Sequence, residues 1–465
     1  MIELESERPL ALARRRELLM GLAAAPLLMS GAANAAARRF GTAEDEGDPA
    51  MRAAFFYAFT LYEFARTEQT LARCLRQSGV INQITARTAL SDPTKRVVTA
   101  PNNDTIYSSA FLDVSSGPVE VVAPDVPSRY FSIQFMDAFT DNFAYVGTRA
   151  TGGRGGRFWV VGPQWRGSAP AGVTLFRSTT NDVWMLVRIL VDGPDDLAAA
   201  VAIQRQFAVV VPADRAPPRG FVNEAVREVS DPRNFLAVVN EMLARSPGAQ
   251  GHLARAKRFA ALGIGTDREP DAAVLARWAA YFPIGLKTLR DAFLFRDLVA
   301  GGWTYQPRGV GNFGDNDRLR AAIALGGIAA LGEEEAMYFH ASFDPAGQRL
   351  SGRDAYRWRI PAAGIPVRGF WSLTMYDVEP DGRYFLVENP IHRYSIGDRT
   401  PGLVRGADGS LEIVIQHTQP KGPLAANWLP APDGPMRLAL RAYYPDRSLI
   451  DRRWKVPPLV RAQPL

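Results

Sequence analysis

Cysteine occurs once in 465 residues, at Cys74, so no internal disulfide can form in any compartment. In the helical pattern around it, Cys74 reads as a small buried residue. Histidine is also scarce: His252, His340, His392 and His417 are the four, and none stands in H-x-H or H-E-x-x-H spacing. No metal and no cofactor are therefore predicted. There is no G-x-S-x-G elbow. The stretch TGGRGGRF (151–158) lacks a G-x-G-x-x-G leading into a helix and reads as a flexible hairpin. The net charge is +6, but the basic residues are scattered without a lysine-rich run, which argues against a nucleic-acid partner. What is there is an ordinary globular composition, 47% hydrophobic and 22% charged, in a chain long enough for two or three domains.

Residues 1–35 read as an export signal. A basic segment precedes the apolar run Met20 to Ser30, and Ala33-Asn34-Ala35 supplies an A-x-A cleavage site. The run is shorter than the roughly 20 residues of a spanning helix, so no transmembrane helix is expected in the mature chain. Arg15-Arg16-Glu17-Leu18-Leu19 fits the twin-arginine pattern, with an arginine-rich general export signal as the alternative. Either route predicts a periplasmic or secreted protein.

Apolar residues at helical spacing, among them Phe56, Phe59, Phe64 and Leu71, predict a helix from Ala53 to about Gln77 within a lead-in of residues 36–96. Short apolar runs such as RYFSIQFMD and VWMLVRILV, split by turn residues, predict an antiparallel β domain over 97–194. Helical patterns follow over 195–332, including FVNEAVREV and NFLAVVNEMLAR, and strands return over 333–465. The fold class is α+β: two antiparallel β-sandwich domains separated by a helical segment. The β regions also resemble each other. DTIYSSAFLD (104–113) aligns with EAMYFHASFD (335–344), matching Tyr107 to Tyr338. YFSIQFMD (130–137) aligns with FWSLTMYD (370–377), matching Ser132 to Ser372. A duplicated domain would explain this, as would convergent strand-and-turn grammar.

Two polar stretches stand out. In APNNDTIYSSAFLD, the residues Asn102, Asn103, Asp104 and Tyr107 exceed what a tight turn needs, although Asn and Asp also cap their own backbone. In NPIHRYSIGDRTPGLV (389–404), Arg393 and Arg399 can fork onto an anion, Asp398 can act as a base or hold an arginine, and Tyr394 can give a proton. The competing reading of that stretch is an Arg–Asp network pinning a long turn.

PNNDTIYSSAFLDVSSGPV, RYFSIQFMDAFTDNFAYVGTR and VDGPDDL resemble the bacterial family called domain of unknown function 1254. FWSLTMYD, NPIHRYSIGDRTPGLV, DGSLEIVIQ and NWLPAPDGPMRLALRAYYP resemble its C-terminal companion, domain of unknown function 1214. The resemblance implies an immunoglobulin-like sandwich, a helical middle and a jelly-roll-like sandwich, and brings no established catalytic residues. The chemistry of the residues then points to a cofactor-independent enzyme, of hydrolase or lyase type, acting on a small or amphiphilic organic molecule at a polar pocket between the β domains. Asp104, Tyr107, Tyr394 and Asp398 are the catalytic candidates. Asn102, Asn103, Arg393, Arg399, Asn427 and Trp428 are the ligand-binding candidates. The alternative is a non-catalytic binding module for a glycan or envelope component, and a homo-oligomer is compatible with either. Both polar loops are expected to face one cavity.

Changing Arg15 and Arg16 together to Lys is expected to leave the precursor in the cytoplasm, because twin-arginine export reads the pair and not its charge. Cell fractionation checks this, and a normal periplasmic yield would show the general route instead.

Overall fold

A 26-residue helix, Pro49–Cys74, carries the first large block of core. It starts four residues earlier than its apolar periodicity predicts, because Asp48 Oδ1 accepts the Ala50 amide at 2.9 Å and Pro49 suits a first turn. The computed structural model describes residues 2–3, 47–74, 81–96, 99–226, 229–295, 298–380 and 382–465. The expected cleavage site, the twin arginines and the Cys74 side chain lie outside the described residues. Phe55, Tyr57, Phe59 and Phe64 are buried on every side of the helix, so it runs through the core and not over it. Helices Pro232–Ala244, Ala272–Phe293 and Asp317–Gly327 pack around it. Together they cover Phe111, Met136 and Leu186 at one end of a sheet.

That sheet has six strands, in the order Ile2–Glu3, Thr85–Arg87, Thr105–Asp113, Asp182–Leu190, Phe131–Asp137 and Asn142–Gly147. Its other face meets a four-stranded sheet ordered Ala208–Val210, Val119–Ala123, Gly156–Val161 and Val173–Arg177. Ile106, Val187, Val121 and Phe158 share one apolar cluster between the two. In the C-terminal half the larger sheet runs Val299–Ala300, Trp303–Tyr305, Ala336–Ala341, Met436–Tyr443, Trp371–Val378 and Tyr384–Leu386, with Ser395–Gly397 also on Trp371–Val378. It shares a core with a second four-stranded sheet of Trp428–Pro430, Leu411–Gln416, Ala355–Ile360 and Leu459–Ala462.

Three expectations need correction. The chain is mixed helix and mainly antiparallel sheet, but Gly156–Val161 with Val173–Arg177 and Leu411–Gln416 with Trp428–Pro430 are parallel pairs. The stretch 195–332 does not separate two domains. It lends Ala208–Val210 and the helix Leu197–Gln204 to the N-terminal sheets and Val299–Tyr305 to the C-terminal one, while its helices from Pro232 onward join the lead-in helix in one layer. FVNEAVREV forms no helix over its described residues 221–226 and 229. Side chains take the backbone donors a helix would use: Glu241 accepts from Val222 and Asn223, Gln69 from Ala225, and the Tyr62 hydroxyl from Val226.

Of the two explanations of the internal matches, the strand order favours duplication. Replacing Thr85–Arg87, Thr105–Asp113, Asp182–Leu190, Phe131–Asp137 and Asn142–Gly147 by Trp303–Tyr305, Ala336–Ala341, Met436–Tyr443, Trp371–Val378 and the pair Tyr384–Leu386 and Ser395–Gly397 turns one large sheet into the other. The small sheets match in the same way, including the parallel pair in each. A helix precedes the last strand in both halves, Leu197–Gln204 in one and Arg447–Ile450 in the other. The two halves therefore carry one strand order, where the resemblance implied two different topologies. Even the close approaches recur. A Cβ on Gly147 would collide with the Phe131 carbonyl oxygen, and one on Gly397 with the Trp371 carbonyl oxygen, at equivalent positions.

Gly147→Ala and Gly397→Ala are each expected to lower stability in urea by about 1–3 kcal/mol, as overpacking against backbone does. Gly434→Ala, with open space at its Cβ, serves as the control. An unchanged midpoint at either of the first two would contradict their equivalence.

Candidate functional site

Strand alternation gives each large sheet one apolar core face and one polar face, and the polar faces of the two halves meet. Tyr107 and Ser132 flank Arg188 across three adjacent strands. Tyr338 and Ser372 flank Arg441 in the same way. Both arginines are 6% exposed. Arg188 donates to Gln134 Oε1 at 2.7 Å and to the Ala329 carbonyl at 2.9 Å, and lies 5.5 Å from the Tyr107 ring centre. Arg441 donates to Thr374 Oγ1 and the Tyr376 hydroxyl, both at 2.8 Å, and to the Ala100 carbonyl at 3.2 Å.

The loop 101–105 enters this interface from the N-terminal half. Asp104 Oδ2 accepts from Ser372 Oγ at 2.5 Å and Oδ1 from Ser395 Oγ at 3.2 Å. The two polar stretches singled out in the sequence therefore touch. Burial raises the Asp104 pKa above the ordinary carboxylate value, with Arg441 and the two serines opposing the rise. Asn102 Nδ2 donates to the Tyr443 hydroxyl at 2.7 Å, and the Tyr376 hydroxyl donates to the Pro101 carbonyl at 2.8 Å. Asn103 instead holds the Ser91 carbonyl at 2.5 Å, within its own half. Tyr130 and Tyr443 approach to 5.3 Å between ring centres. Glu335 accepts from the Tyr130 hydroxyl at 2.7 Å and from Arg149 at 2.6 Å; burial raises its pKa against Arg149. Burial raises the pKa values of Tyr130, Tyr338 and Tyr443, so these phenols stay protonated and can donate. Tyr107, Ser109, Tyr338 and His340 remain half-buried.

The rest of 389–404 divides between corner and interface. Arg393 spends its guanidinium on the Ala426 and Trp428 carbonyls, and Asn389 accepts the Arg393 amide. Asn427 is fully buried and bonds Val404 and Glu412, while Trp428 Nε1 donates to the Gln416 carbonyl. These three pin the C-terminal half, and none reaches the interface. Arg399 forms an exposed ion pair with Asp192 across the two halves. Asp398 lies at an exposed position, with its carboxylate turned onto the Trp371 amide at 3.2 Å; removal from water there pushes its pKa up to about 6. Tyr394 packs beside Ala100, Tyr376 and Tyr384, and its hydroxyl is 3.4 Å from His392 Nδ1.

Arg188, Arg441, Tyr338, Ser372 and Ser395 belong to the interface and were not among the candidates. The signal for the arginines is charge inside apolar runs, one arginine in VWMLVRILV and two in MRLALRAYYP. For Tyr338 and Ser372 it is the internal alignment. Two concavities on the outer surface, of about 570 Å³ beside Arg353 and Arg461 and about 370 Å³ beside Thr179 and His252, include none of these residues. The first is lined by partly exposed charges that pair with each other (Arg461–Asp354), so we place the site where buried charge and half-buried phenols converge. Among the described residues no group of three or more His, Cys, Asp or Glu is arranged to hold a metal ion. No helix there is long and apolar enough to cross a membrane.

Fold and site thus define a two-half α+β protein whose duplicated sheets enclose a polar interface. The chain matches the models Protein of unknown function (DUF1254) over residues 81–211 and Protein of unknown function (DUF1214) over 335–447, and it belongs to the family that carries these two domains in this order. The VPA0106 protein from Vibrio parahaemolyticus shares the fold, with a TM-score of 0.68 at 23% identity over 89% of this chain and 99% of that one. An uncharacterised protein from Burkholderia cenocepacia aligns at a TM-score of 0.43 and 14% identity over 90% of each chain. No curated protein matches the chain.

Proposed function

We propose that the protein is an exported enzyme of hydrolase or lyase type that works without a resident cofactor on a small organic molecule, held between the polar faces of the two halves. The observation that supports this reading most is Asp104. It is a 7% exposed carboxylate of one half, held by two serines of the other, close enough to Arg441 to feel its charge. A raised proton affinity suits it to accept and return a proton, while Tyr107 and Tyr338 stand half-buried as donors. Each sheet pair is read as a sandwich, and the enzyme as a periplasmic or secreted one. The alternative, a module gripping a glycan or envelope component, requires these loops on an open, aromatic-lined groove, and the burial of Asp104 favours the small molecule.

The test is consumption. Purified protein is incubated with a small-molecule extract of the producing cells, and mass spectrometry follows which compounds disappear. Asp104→Asn is expected to slow the consumption by about 10²-fold or more, as loss of a positioned acid/base does, with the fold retained. Consumption by Asp104→Asn at the wild-type rate would overturn the catalytic role.

A further inference from the structure

The duplication places Arg437 where the N-terminal half has Trp184, four residues before each buried arginine, and His340 where it has Ser109, two residues after each paired tyrosine. In the N-terminal half these positions satisfy each other. Trp184 Nε1 donates to Ser109 Oγ at 2.8 Å, its ring stacks on Phe111 at 5.0 Å, and the helical layer covers both rings. The C-terminal half departs from this. His340 pairs with Ala439, which puts Arg437 and Arg441 on its own face of the sheet, one on each diagonal. Among the described residues, Arg437 Nε and His340 Nδ1 are buried without a hydrogen-bond partner, and both side chains are half-buried. The Arg437 guanidinium lies 4.5 Å from the centre of the Tyr384 ring. The acids of the adjoining turn do not serve it, since Arg96 engages Asp377 and Glu379. Asp104 is held at the neighbouring Arg441.

A partly desolvated guanidinium without a counter-charge is unfavourable, and a ligand anion relieves it. Its planar fork matches a carboxylate edge to edge. Burial and the two flanking arginines keep His340 neutral, so it can offer one N–H to an anion without adding charge. A single cation over an aromatic ring suits a singly charged organic acid better than a doubly charged phosphate. We propose that Arg437 and His340 bind the carboxylate of a small organic acid, with the Tyr384 ring beneath it. This names the substrate class of the interface and rests on the reading of the interface as a site, although the binding itself needs no turnover.

Titration calorimetry of the full chain uses benzoate as probe, with benzamide and inorganic phosphate as comparisons. Benzoate is expected to bind saturably within about 20 mM, a weak-site range, and benzamide not to bind. Arg437→Met keeps the aliphatic stem over Tyr384 and is expected to weaken benzoate by about tenfold or more, the loss for a charge-assisted fork, with Arg437→Lys in between. The ligand-free melting temperature of Arg437→Met should stay level or rise, because no hydrogen bond or ion pair among the described residues is lost and relief of the buried, unpartnered Nε offsets the lost guanidinium–Tyr384 ring contact. Absence of saturable benzoate binding, equal binding by Arg437→Met, or phosphate preferred over benzoate would each overturn the carboxylate assignment. Those failures are separable from failure of the catalytic reading, which is decided by consumption with Asp104→Asn. Benzoate bound through Arg437 beside an unaffected Asp104→Asn would leave a carboxylate-binding protein.

Discussion

Arg188 and Arg441 carry positive charge into strands that are mainly apolar, and the arrangement of the two halves follows from what that requires. Moving a guanidinium out of water costs several kcal/mol unless fixed acceptors replace the solvent. Neither arginine finds all of its acceptors in its own sheet. Arg441 takes the Ala100 carbonyl from the N-terminal half and has Asp104 of that half beside it. Arg188 takes the Ala329 carbonyl from the end of the helical layer. Separating the halves would leave a buried cation short of partners, so the polar faces act as a joint.

The duplicated halves diverge where the helices are. In the first copy the layer led by Pro49–Cys74 covers Phe111, Met136 and Leu186, and Trp184 fills the position next to them. In the second copy the equivalent region carries Arg437, His340 and Tyr376, polar groups that no packed helix requires. One copy has become a scaffold on which helices rest. The other keeps a polar face on which, among the described residues, Arg437 Nε and His340 Nδ1 have no hydrogen-bond partner, and Asp104 is delivered to it from the scaffold copy. A site assembled this way needs both copies, which explains why its residues are spread from position 102 to position 443.

Much of the architecture was legible. Runs of period two and period 3.6 separated strand from helix, and the matches of Tyr107 to Tyr338 and Ser132 to Ser372 pointed to the repeat. These matches succeeded because tyrosine and serine stand at the same strand positions in both halves, flanking the buried arginine. The boundaries at 195 and 333 failed because strand pairing, which is non-local, draws Ala208–Val210 and Trp303–Tyr305 into sheets at either side. Arg393, Asn427 and Trp428 bond backbone of their own half, which sequence does not reveal, because a dense polar stretch reads the same whether its groups bind a ligand or their own backbone. The buried arginines do not stand out in the sequence because a charge in a mainly apolar strand ordinarily marks an edge facing water. His340 was passed over because its lack of partners is a property of packing, which spacing does not encode.

The most direct test is the coupling between the halves through Asp104 and Ser372. A double-mutant cycle of Asp104→Ala and Ser372→Ala, with stability read from urea unfolding, isolates the contact that joins the sequence motif to the opposite sheet. A buried hydroxyl donating to a carboxylate predicts a coupling of about 1–3 kcal/mol. Effects that add within about 0.5 kcal/mol, as independent sites do, would show that the two halves do not share this site.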